Sequence, residues 1–194
     1  MGMDEVAPRR RLRADARRNR ERLLAEAAAV FSERGTEASL EDIARRAGVA
    51  IGTLYGHFPT RQALLEALMC ERMRSLSDTG RELLDHASPK EALTIWARAA
   101  VAHTTVYRGL ATSLMQGMED EDSALHAACQ AVTAAGAGLL ARAQESGLLR
   151  DDATAFDLFT LVNAVAWAGE QTSPQQGERL LRFVMDGLRP VAEE

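Results

Sequence analysis

The chain has 194 residues, which fits one large or two small domains, and its 46% hydrophobic and 26% charged residues exclude wholesale disorder. Alanine and leucine are abundant and aromatic residues are scarce, which favours helices throughout. No apolar run approaches the ~18 residues of a membrane span, and no secretory signal follows the basic N-terminus. Cys70 and Cys129 are interpreted as reduced core thiols, so we expect a cytoplasmic protein with no membrane partner.

The net charge of −5 is unevenly distributed along the chain. Residues 1–61 carry 12 arginines against nine acidic residues, a balance of +3, whereas residues 62–194 carry 11 basic against 19 acidic residues, a balance of −8. Eight of those arginines lie between Arg9 and Arg22. One basic end on an acidic protein indicates a polyanion partner, although charge alone leaves a solvated basic tail equally open.

The first predicted element follows an arginine-rich segment. Residues 1–13 contain no apolar stripe, so we expect a flexible arm there. Apolar residues then recur at helical spacing from about Ala14 to Arg34, which predicts a first helix that ends at Gly35.

Two short helices and a long one come next. Ser39 has the side chain of an N-cap and opens a second helix that ends at Gly48, where glycine adopts a left-handed conformation at little cost. A third helix covers about residues 50–58, Pro59 ends it, and Thr60 caps a long fourth helix.

Five more helices are predicted in the second half, starting where Ser88, Pro89 and Glu91 supply a cap, a first-turn proline and a capping-box glutamate. No strand pattern occurs, so the sequence predicts an all-α protein of about nine helices. These later helices cover about residues 89–105, 106–118, 123–146, 152–171 and 174–189.

The second and third helices are too short to be stable alone in water, so they must dock on their neighbours. Ala44 is small enough to let the two helices approach closely, and Val49 and Leu54 can bury in the angle between them. Phe58 and Ile43 can then pack on the first helix. This arrangement is typical of a helix-turn-helix unit, whose second helix inserts into the DNA major groove. Helix–glycine–helix corners also occur in proteins that do not bind DNA.

Residues of the third helix that cannot all be core are candidates for DNA contact. Gly52 allows close backbone approach, Thr53 and Tyr55 offer hydroxyls to phosphates, and methyl groups at Ala50 and Ile51 suit thymine. Basic arms elsewhere reach the backbone or the minor groove. The predicted DNA-binding residues are Ser39, Ala50, Ile51, Gly52, Thr53, Tyr55, His57, Thr60 and Arg61, with Arg9, Arg10, Arg11 and Arg13 in the arm.

The stretch SLEDIARRAGVAIGTLYGHFPTRQALLEAL, residues 39–68, resembles the DNA-binding domain of the TetR family of bacterial transcriptional regulators. The resemblance extends over about residues 14–70, and it implies an all-helical homodimer that represses transcription and releases DNA on binding a small molecule. It also implies DNA contacts by Thr53, Tyr55, His57 and Arg61, whereas Gly56 departs from the larger residue that the family more often has. The second half looks like the C-terminal domain of SbtR-type members.

The domains expected on this basis are residues 14–61 for DNA binding, with a connecting helix from residue 60, and residues 62–194 for effector binding and dimerisation. The last two predicted helices are apolar over so much of their circumference that they must be covered on two sides, which suggests a four-helix dimer interface. Burial in a larger monomer core is the alternative. The predicted interface residues are Phe156, Phe159, Val162, Ala166, Leu180, Leu181, Val184, Met185 and Leu188.

Polar or aromatic residues on otherwise apolar helices are candidates for an effector pocket. They are Trp96, His103, Tyr107, Gln116, His126, Cys129, Gln130, Asn163 and Trp167. Each of them taken alone is more readily interpreted as an ordinary core or surface residue than as a ligand contact. His126 and Cys129 stand three residues apart, but two ligands are too few for a structural zinc site, so neither a metal nor a cofactor is expected.

The leading hypothesis is a dimeric repressor that an unknown small molecule releases from near-palindromic double-stranded operator DNA. A helical enzyme is the second hypothesis, yet the sequence has no nucleophile–base pair and no phosphate-cradling loop, only His103, His126 and Cys129 as raw material. A DNA-compacting protein without an effector is the third, and the −8 balance of the second half disfavours it.

Overall fold

The computed structural model of the protein describes residues 6–104 and 123–190, with side chains for residues 13–103 and 123–190. Within those ranges the chain forms eight helices and no strand, so the all-α prediction is confirmed. The predicted helix over residues 106–118 lies outside the described ranges. The helices are α1 (Val6–Arg34), α2 (Leu40–Arg46), α3 (Ile51–His57), α4 (Arg61–Leu83), α5 (Pro89–Thr104), α6 (Ala124–Glu145), α7 (Ala155–Gln171) and α8 (Pro174–Gly187).

The described chain falls into two compact units, divided between Met69 and Cys70. In the first unit α1, α2 and α3 pack against one another. Helix α1 begins at Val6, so the expectation of a flexible arm is wrong for residues 6–13. Alanine and arginine have high helix propensity, and the helix therefore continues upstream of its apolar stripe. That stripe is buried as predicted and consists of Leu23, Leu24, Ala27, Val30 and Phe31.

Local signals set the ends of the short helices. The Ser39 hydroxyl accepts a hydrogen bond from the Asp42 amide at 3.4 Å, and Thr60 Oγ1 accepts one from the Ala63 amide at 3.0 Å. Gly48 follows α2 with a φ of +66°, a left-handed conformation that glycine adopts without strain. These are the caps and the stop that the sequence predicts, so the second helix, the turn and the third helix form where expected.

The second unit is built around Trp96 of α5. Its side chain is fully buried, its Nε1 donates to the Leu76 carbonyl at 3.2 Å, and its ring meets Phe159 edge-on at 5.6 Å between centroids. Gly80 of α4 and Gly136 of α6 make room for the indole, because a Cβ on Gly136 would lie 2.5 Å from it. The prediction that Trp96 lines an effector pocket is therefore wrong, since no ligand reaches a ring enclosed on all these sides.

Helix α7 starts at Ala155 and not near Asp152, because Thr154 and Asp157 form a capping box that fixes its first turn. Thr154 Oγ1 accepts from the Asp157 amide at 3.2 Å, and the Asp157 carboxylate accepts from the Thr154 amide at 2.9 Å. Helices α7 and α8 then cross closely where Gly169 faces Gly177, since a Cβ on either glycine would lie 3.3 Å from the Cα of the other.

Helix α6 is long and apolar enough, by length and composition alone, to cross a membrane. One such helix is weak evidence, because a core helix passes the same test. Val132, Leu139, Leu140 and Ala143 of α6 are buried in the hydrophobic cluster of the second unit, beside residues of α4, α5, α7 and α8. The apolar character of α6 is accounted for in part by this packing.

Candidate nucleic-acid interface

Helix α3 presents almost its whole surface to solvent. Leu54 is its one buried residue, whereas Tyr55 is 49% exposed and Ile51 37% exposed. Ala50 and Gly52 are exposed as well, and Thr53 and His57 are half-buried. A seven-residue helix with a single anchor contributes little to the core, so its remaining side chains are available for a partner.

Contacts with α1 hold α3 and α2 in place. Phe58 follows α3 and is buried, and the Arg20 guanidinium of α1 lies 5.6 Å above its ring centroid. Arg46 of α2 donates to Glu26 at 3.1 Å and to Glu33 at 2.9 Å, both on α1. The hydrogen bond from Arg46 holds the pKa of the Glu33 carboxyl below its ordinary value. The outward face of α3 is therefore presented on a three-helix support.

Two glycines leave open space on α3. A Cβ built on Gly52 or on Gly56 would have no neighbouring atom within 4 Å, and neither residue has a positive φ. Nothing in the first unit requires glycine at either position, although glycine weakens a helix by about 0.5–1 kcal/mol relative to alanine. The fold of the first unit thus gives no reason for these two glycines. Close approach of another molecule to the backbone of α3 is a reason that does account for them.

Arg61 has a role inside the first unit. Its Nη1 atom donates to the carbonyl oxygens of Thr36 and Ala38, both at 2.6 Å, so the first residue of α4 fastens the loop that precedes α2. These two bonds occupy one nitrogen of the guanidinium. Its predicted contact with DNA stays a prediction, and a substitution of Arg61 would also loosen the loop. The sequence pattern gave no signal for this second role.

The other predicted DNA-contacting groups differ in how the structure presents them. Ser39 and Thr60 are exposed helix caps next to α3 in the chain, and Arg13 is exposed on α1. Side chains of Arg9, Arg10 and Arg11 lie outside the described residues, although their backbone is part of α1. A helical rather than flexible segment thus carries these arginines.

Four of the predicted effector residues lie on α5 and α6, and two of them, His103 and Cys129, contact adjacent residues of α4. His103 of α5 lies against Arg72 of α4, and its Nδ1 is buried. Burial, with a smaller contribution from the Arg72 charge, lowers the pKa of His103 below its ordinary value. On α6, the Cys129 thiol lies 3.4 Å from the Met73 sulfur, and His126 Nε2 lies 2.8 Å from Gln130 Nε2.

The other effector candidates besides Trp96 are Tyr107, Gln116, Asn163 and Trp167. Tyr107 and Gln116 lie outside the described residues. Asn163 and Trp167 are exposed on the outer face of α7, so the prediction that they line an apolar pocket is wrong. Among the described residues no group of three histidine, cysteine or acidic side chains is placed to hold a metal ion.

The predicted dimer residues divide between the chain's own core and its surface. Five of them are buried within the second unit and cannot form an outer contact surface: Val162, Ala166, Leu181, Met185 and Leu188. Phe159 is half-buried against Trp96, and Leu180 and Val184 are half-buried on α8. Phe156 is 78% exposed. Phe183 of α8 is exposed as well but is not among the predicted interface residues, because helical spacing alone does not distinguish the outer face from the inner one.

Two family models match the chain. Residues 23–68 match the N-terminal domain of bacterial regulatory proteins of the tetR family, and residues 88–190, just over half of the chain, match the SbtR-like C-terminal domain of transcriptional regulators. The first match contains α2, α3 and the turn between them. The second contains α5 to α8.

Solved structures and curated proteins agree with these matches. A TetR transcriptional regulator from Streptomyces coelicolor is 38% identical, with 89% of this chain and 99% of that one covered and a TM-score of 0.74. A TetR regulatory protein from Mycobacterium vanbaalenii is 37% identical, with 92% and 99% covered and a TM-score of 0.71. The transcriptional repressor KstR2 of Mycolicibacterium smegmatis is 38% identical over 77 residues, 39% of this chain and only 38% of the repressor's length.

Proposed function

On the premise that the chain belongs to the TetR family of bacterial regulatory proteins and is a DNA-binding transcriptional regulator, we propose that it is a dimeric repressor. In this proposal α3 enters the major groove of a near-palindromic operator, and a small molecule releases it. The proteins that it matches are transcription regulators and not enzymes. We place the repressor in the cytoplasm, with no membrane partner.

The observation that carries the proposal is the outward face of α3. Tyr55 and Thr53 bring hydroxyls for phosphate oxygens, Gly52 leaves the backbone open, and Ala50 and Ile51 bring methyl groups for thymine. Ser39, Thr60 and Arg61 add contacts at the neighbouring helix ends, His57 adds a ring nitrogen, and Arg9, Arg10, Arg11 and Arg13 add charge from α1. Residues 14–61, extended upstream to Val6, make up the DNA-binding domain.

Dimerisation is assigned to the exposed face of α7 and α8. These two helices carry Phe156, Trp167 and Phe183, three large aromatic side chains that are more than half exposed in a single chain. A C2 dimer uses the same patch on both subunits and presents two copies of α3 one DNA turn, or a multiple of it, apart. The operator is therefore expected to have two inverted half-sites.

Effector binding is assigned to the part of the second unit where His103 contacts Arg72 and Cys129 contacts Met73. Half-buried polar groups beside apolar walls are what a small ligand requires. Helix α4 runs from Arg61 into this region as far as Leu83. A ligand lowers operator affinity when it binds more tightly to a dimer whose two α3 helices are spaced differently from those of the operator-binding dimer. The size of the decrease is set by the difference between the ligand's affinities for these two states.

Selection of bound sequences from a random DNA pool, followed by footprinting, tests this function. We expect one inverted repeat, a protected footprint confined to it, and affinity that falls steeply with salt because arginines displace counterions from phosphates. Uniform coating of all DNA would favour a DNA-compacting protein instead, and failure to recover any site would contradict the repressor. Small molecules are then screened for release of the recovered DNA.

A further inference from the structure

The two cysteines of the chain lie at one contact between α4 and α6. On α6, the Sγ atom of Cys129 is 3.4 Å from the Sδ atom of Met73 on α4. Cys70 precedes Met73 by three residues on α4, so these two side chains are neighbours on one face of that helix. Sequence spacing gives no sign of this group, because Cys70 and Met73 lie on a different helix from His126 and Cys129.

The register of the two helices places Cys70 close to Cys129. Met73 of α4 meets Cys129 of α6, and further along both helices a Cβ on Gly80 would lie 2.8 Å from the Cβ of Ala135. Residue numbers therefore rise together along the contact, and the helices run parallel there. Cys70 stands one turn before Met73, so it lies within about one helical turn of Cys129, about 5 Å along the helix axis.

Two of the three sulfur-containing side chains are open to solvent in part. Cys70 is buried, whereas Met73 and Cys129 are half-buried. Burial, with a smaller contribution from the nearby Cys70, raises the pKa of the Cys129 thiol above its ordinary value, so this thiol is protonated at neutral pH. A protonated thiol is a weak nucleophile, which disfavours a redox switch that starts with attack by Cys129. A metal ion displaces the thiol proton when it binds, so the raised pKa is compatible with a metal site.

The chemistry of the three sulfurs selects among metals. Thiolate and thioether groups are soft ligands that suit Cu(I), whereas a structural Zn(II) site takes four ligands. The described residues hold no group of three histidine, cysteine or acidic side chains for zinc, and Cu(I) is stable with fewer ligands. We propose that Cys70, Met73 and Cys129 bind one Cu(I) ion, the cysteines as thiolates and Met73 through its thioether. The two thiol protons pass to solvent, and the copper keeps its oxidation state.

The site lies on the helix that continues from the DNA-binding domain. Helix α4 begins at Arg61 and runs to Leu83, and the metal would join it to α6. The proposed function assigns effector binding to this part of the second unit, and this inference, which rests on that assignment for its regulatory role, names the effector class as a soft metal ion. Cu(I) then lowers operator affinity because it binds one of the two states more tightly.

Competition for Cu(I) under argon provides the first test. The full-length protein is titrated with Cu(I) in the presence of bathocuproine disulfonate, whose coloured Cu(I) complex reports the metal that the protein has not taken. We expect one Cu(I) per chain, release of about two protons per ion, and no displacement by Zn(II). A protein that leaves all the Cu(I) with the chelator overturns the inference.

Substitution of the sulfur ligands provides the second test. Cys70→Ala and Cys129→Ala should each weaken Cu(I) binding about a hundredfold or more, because loss of a direct ligand exceeds the cost of losing an outer partner, and Met73→Leu should weaken it about tenfold. Met185→Leu, at a buried methionine of α8, is the matched control and should leave the affinity within about threefold of the wild type. Circular dichroism shows that each apoprotein is folded. Unchanged affinity in folded Cys129→Ala, a half-buried position, contradicts the site.

Operator binding separates this inference from the proposed function. Addition of Cu(I) should release the recovered operator from the wild-type protein and not from Cys129→Ala. Cu(I) that binds without changing operator affinity overturns the regulatory role and leaves the repressor standing, whereas failure to recover any operator overturns the repressor while the chelator titration still tests the metal site. A Cys70–Cys129 disulfide formed by hydrogen peroxide, in a protein that does not retain Cu(I), would assign the pair to oxidation instead.

Discussion

The surroundings of α3 and those of Trp96 use side chains in opposite ways. In α3 one residue of seven is buried, and its two glycines have open space around them. Around Trp96 the side chain is enclosed, and a Cβ on Gly136 would lie 2.5 Å from the ring and a Cβ on Gly80 3.0 Å from it. The exposed residues of α3 are thus available to a partner at little cost in stability. Trp96, by contrast, is a predicted effector residue, yet its side chain is part of the hydrophobic core of the second unit.

Trp96→Ala gives the largest effect expected from this comparison. Removal of a fully buried indole and its hydrogen bond to Leu76 lowers the free energy of unfolding by about 3–5 kcal/mol. Denaturant titration of the variant measures it, with Trp96→Phe as the control that keeps an aromatic ring. A loss of less than about 1 kcal/mol in Trp96→Ala would show that the ring is not enclosed as described.

Two glycines of α6 sharpen the same point. Gly136→Ala puts a methyl group 2.5 Å from the Trp96 ring, so we expect a loss of about 1–3 kcal/mol from overpacking. Gly138→Ala, two residues along, meets Leu84 at an ordinary 3.6 Å and is expected to stabilise the helix by about 0.5–1 kcal/mol. Thermal unfolding of both variants measures the difference, and equal shifts would contradict the packing.

The glycines of α3 are expected to behave differently. Both Gly52→Ala and Gly56→Ala raise the stability of the first unit by about 0.5–1 kcal/mol, because each Cβ enters open space. Only Gly52→Ala is expected to weaken operator binding, since residue 52 lies in the first turn of α3, the end that approaches DNA most closely in this motif. Gly56→Ala is its matched control, and the pair is compared by unfolding and by fluorescence anisotropy with labelled operator.

The smallest expected effect concerns pH. Burial lowers the pKa of His103 in the folded state below its ordinary value of 6.5, so the unfolded chain binds the proton more readily. The free energy of unfolding is then at its full value above pH 6.5 and falls as the pH drops below it. Urea titrations at several pH values measure how the free energy of unfolding changes with pH, and His103→Gln should reduce this pH slope. His57→Gln is the control for loss of a histidine on α3. An unchanged slope in His103→Gln would place the titrating group elsewhere.

Local signals made the first unit predictable from sequence. Ser39, Gly48 and Thr60 act through bonds and backbone angles within a few residues, so their positions fix the short helices without knowledge of the rest. The start of α1 was misplaced because residues 6–13 have helix propensity but no apolar stripe to reveal it. The second role of Arg61 was missed because its carbonyl partners lie 23 and 25 residues away.

The second unit was less predictable because its helices are apolar on several sides. Phe156 and Val162 of α7 are both predicted interface residues, yet Val162 is buried and Phe156 is exposed. Which apolar side faces inward depends on the neighbours that the fold supplies, and no single helix specifies them. For the same reason the sequence offers Trp96 and Trp167 equally as effector candidates, whereas Trp96 is a core residue and Trp167 a surface residue.

The exposed hydroxyl and ring of Tyr55 give the most direct test of the central claim that the outer face of α3 binds DNA. Hydrogen bonds to charged groups contribute about 1.5–3 kcal/mol each, and a dimer has two copies, so Tyr55→Ala should weaken operator binding about tenfold or more. Because Tyr55 is 49% exposed, the free energy of unfolding should stay within about 0.5 kcal/mol of the wild type. Unchanged operator affinity in a folded Tyr55→Ala protein would contradict the account.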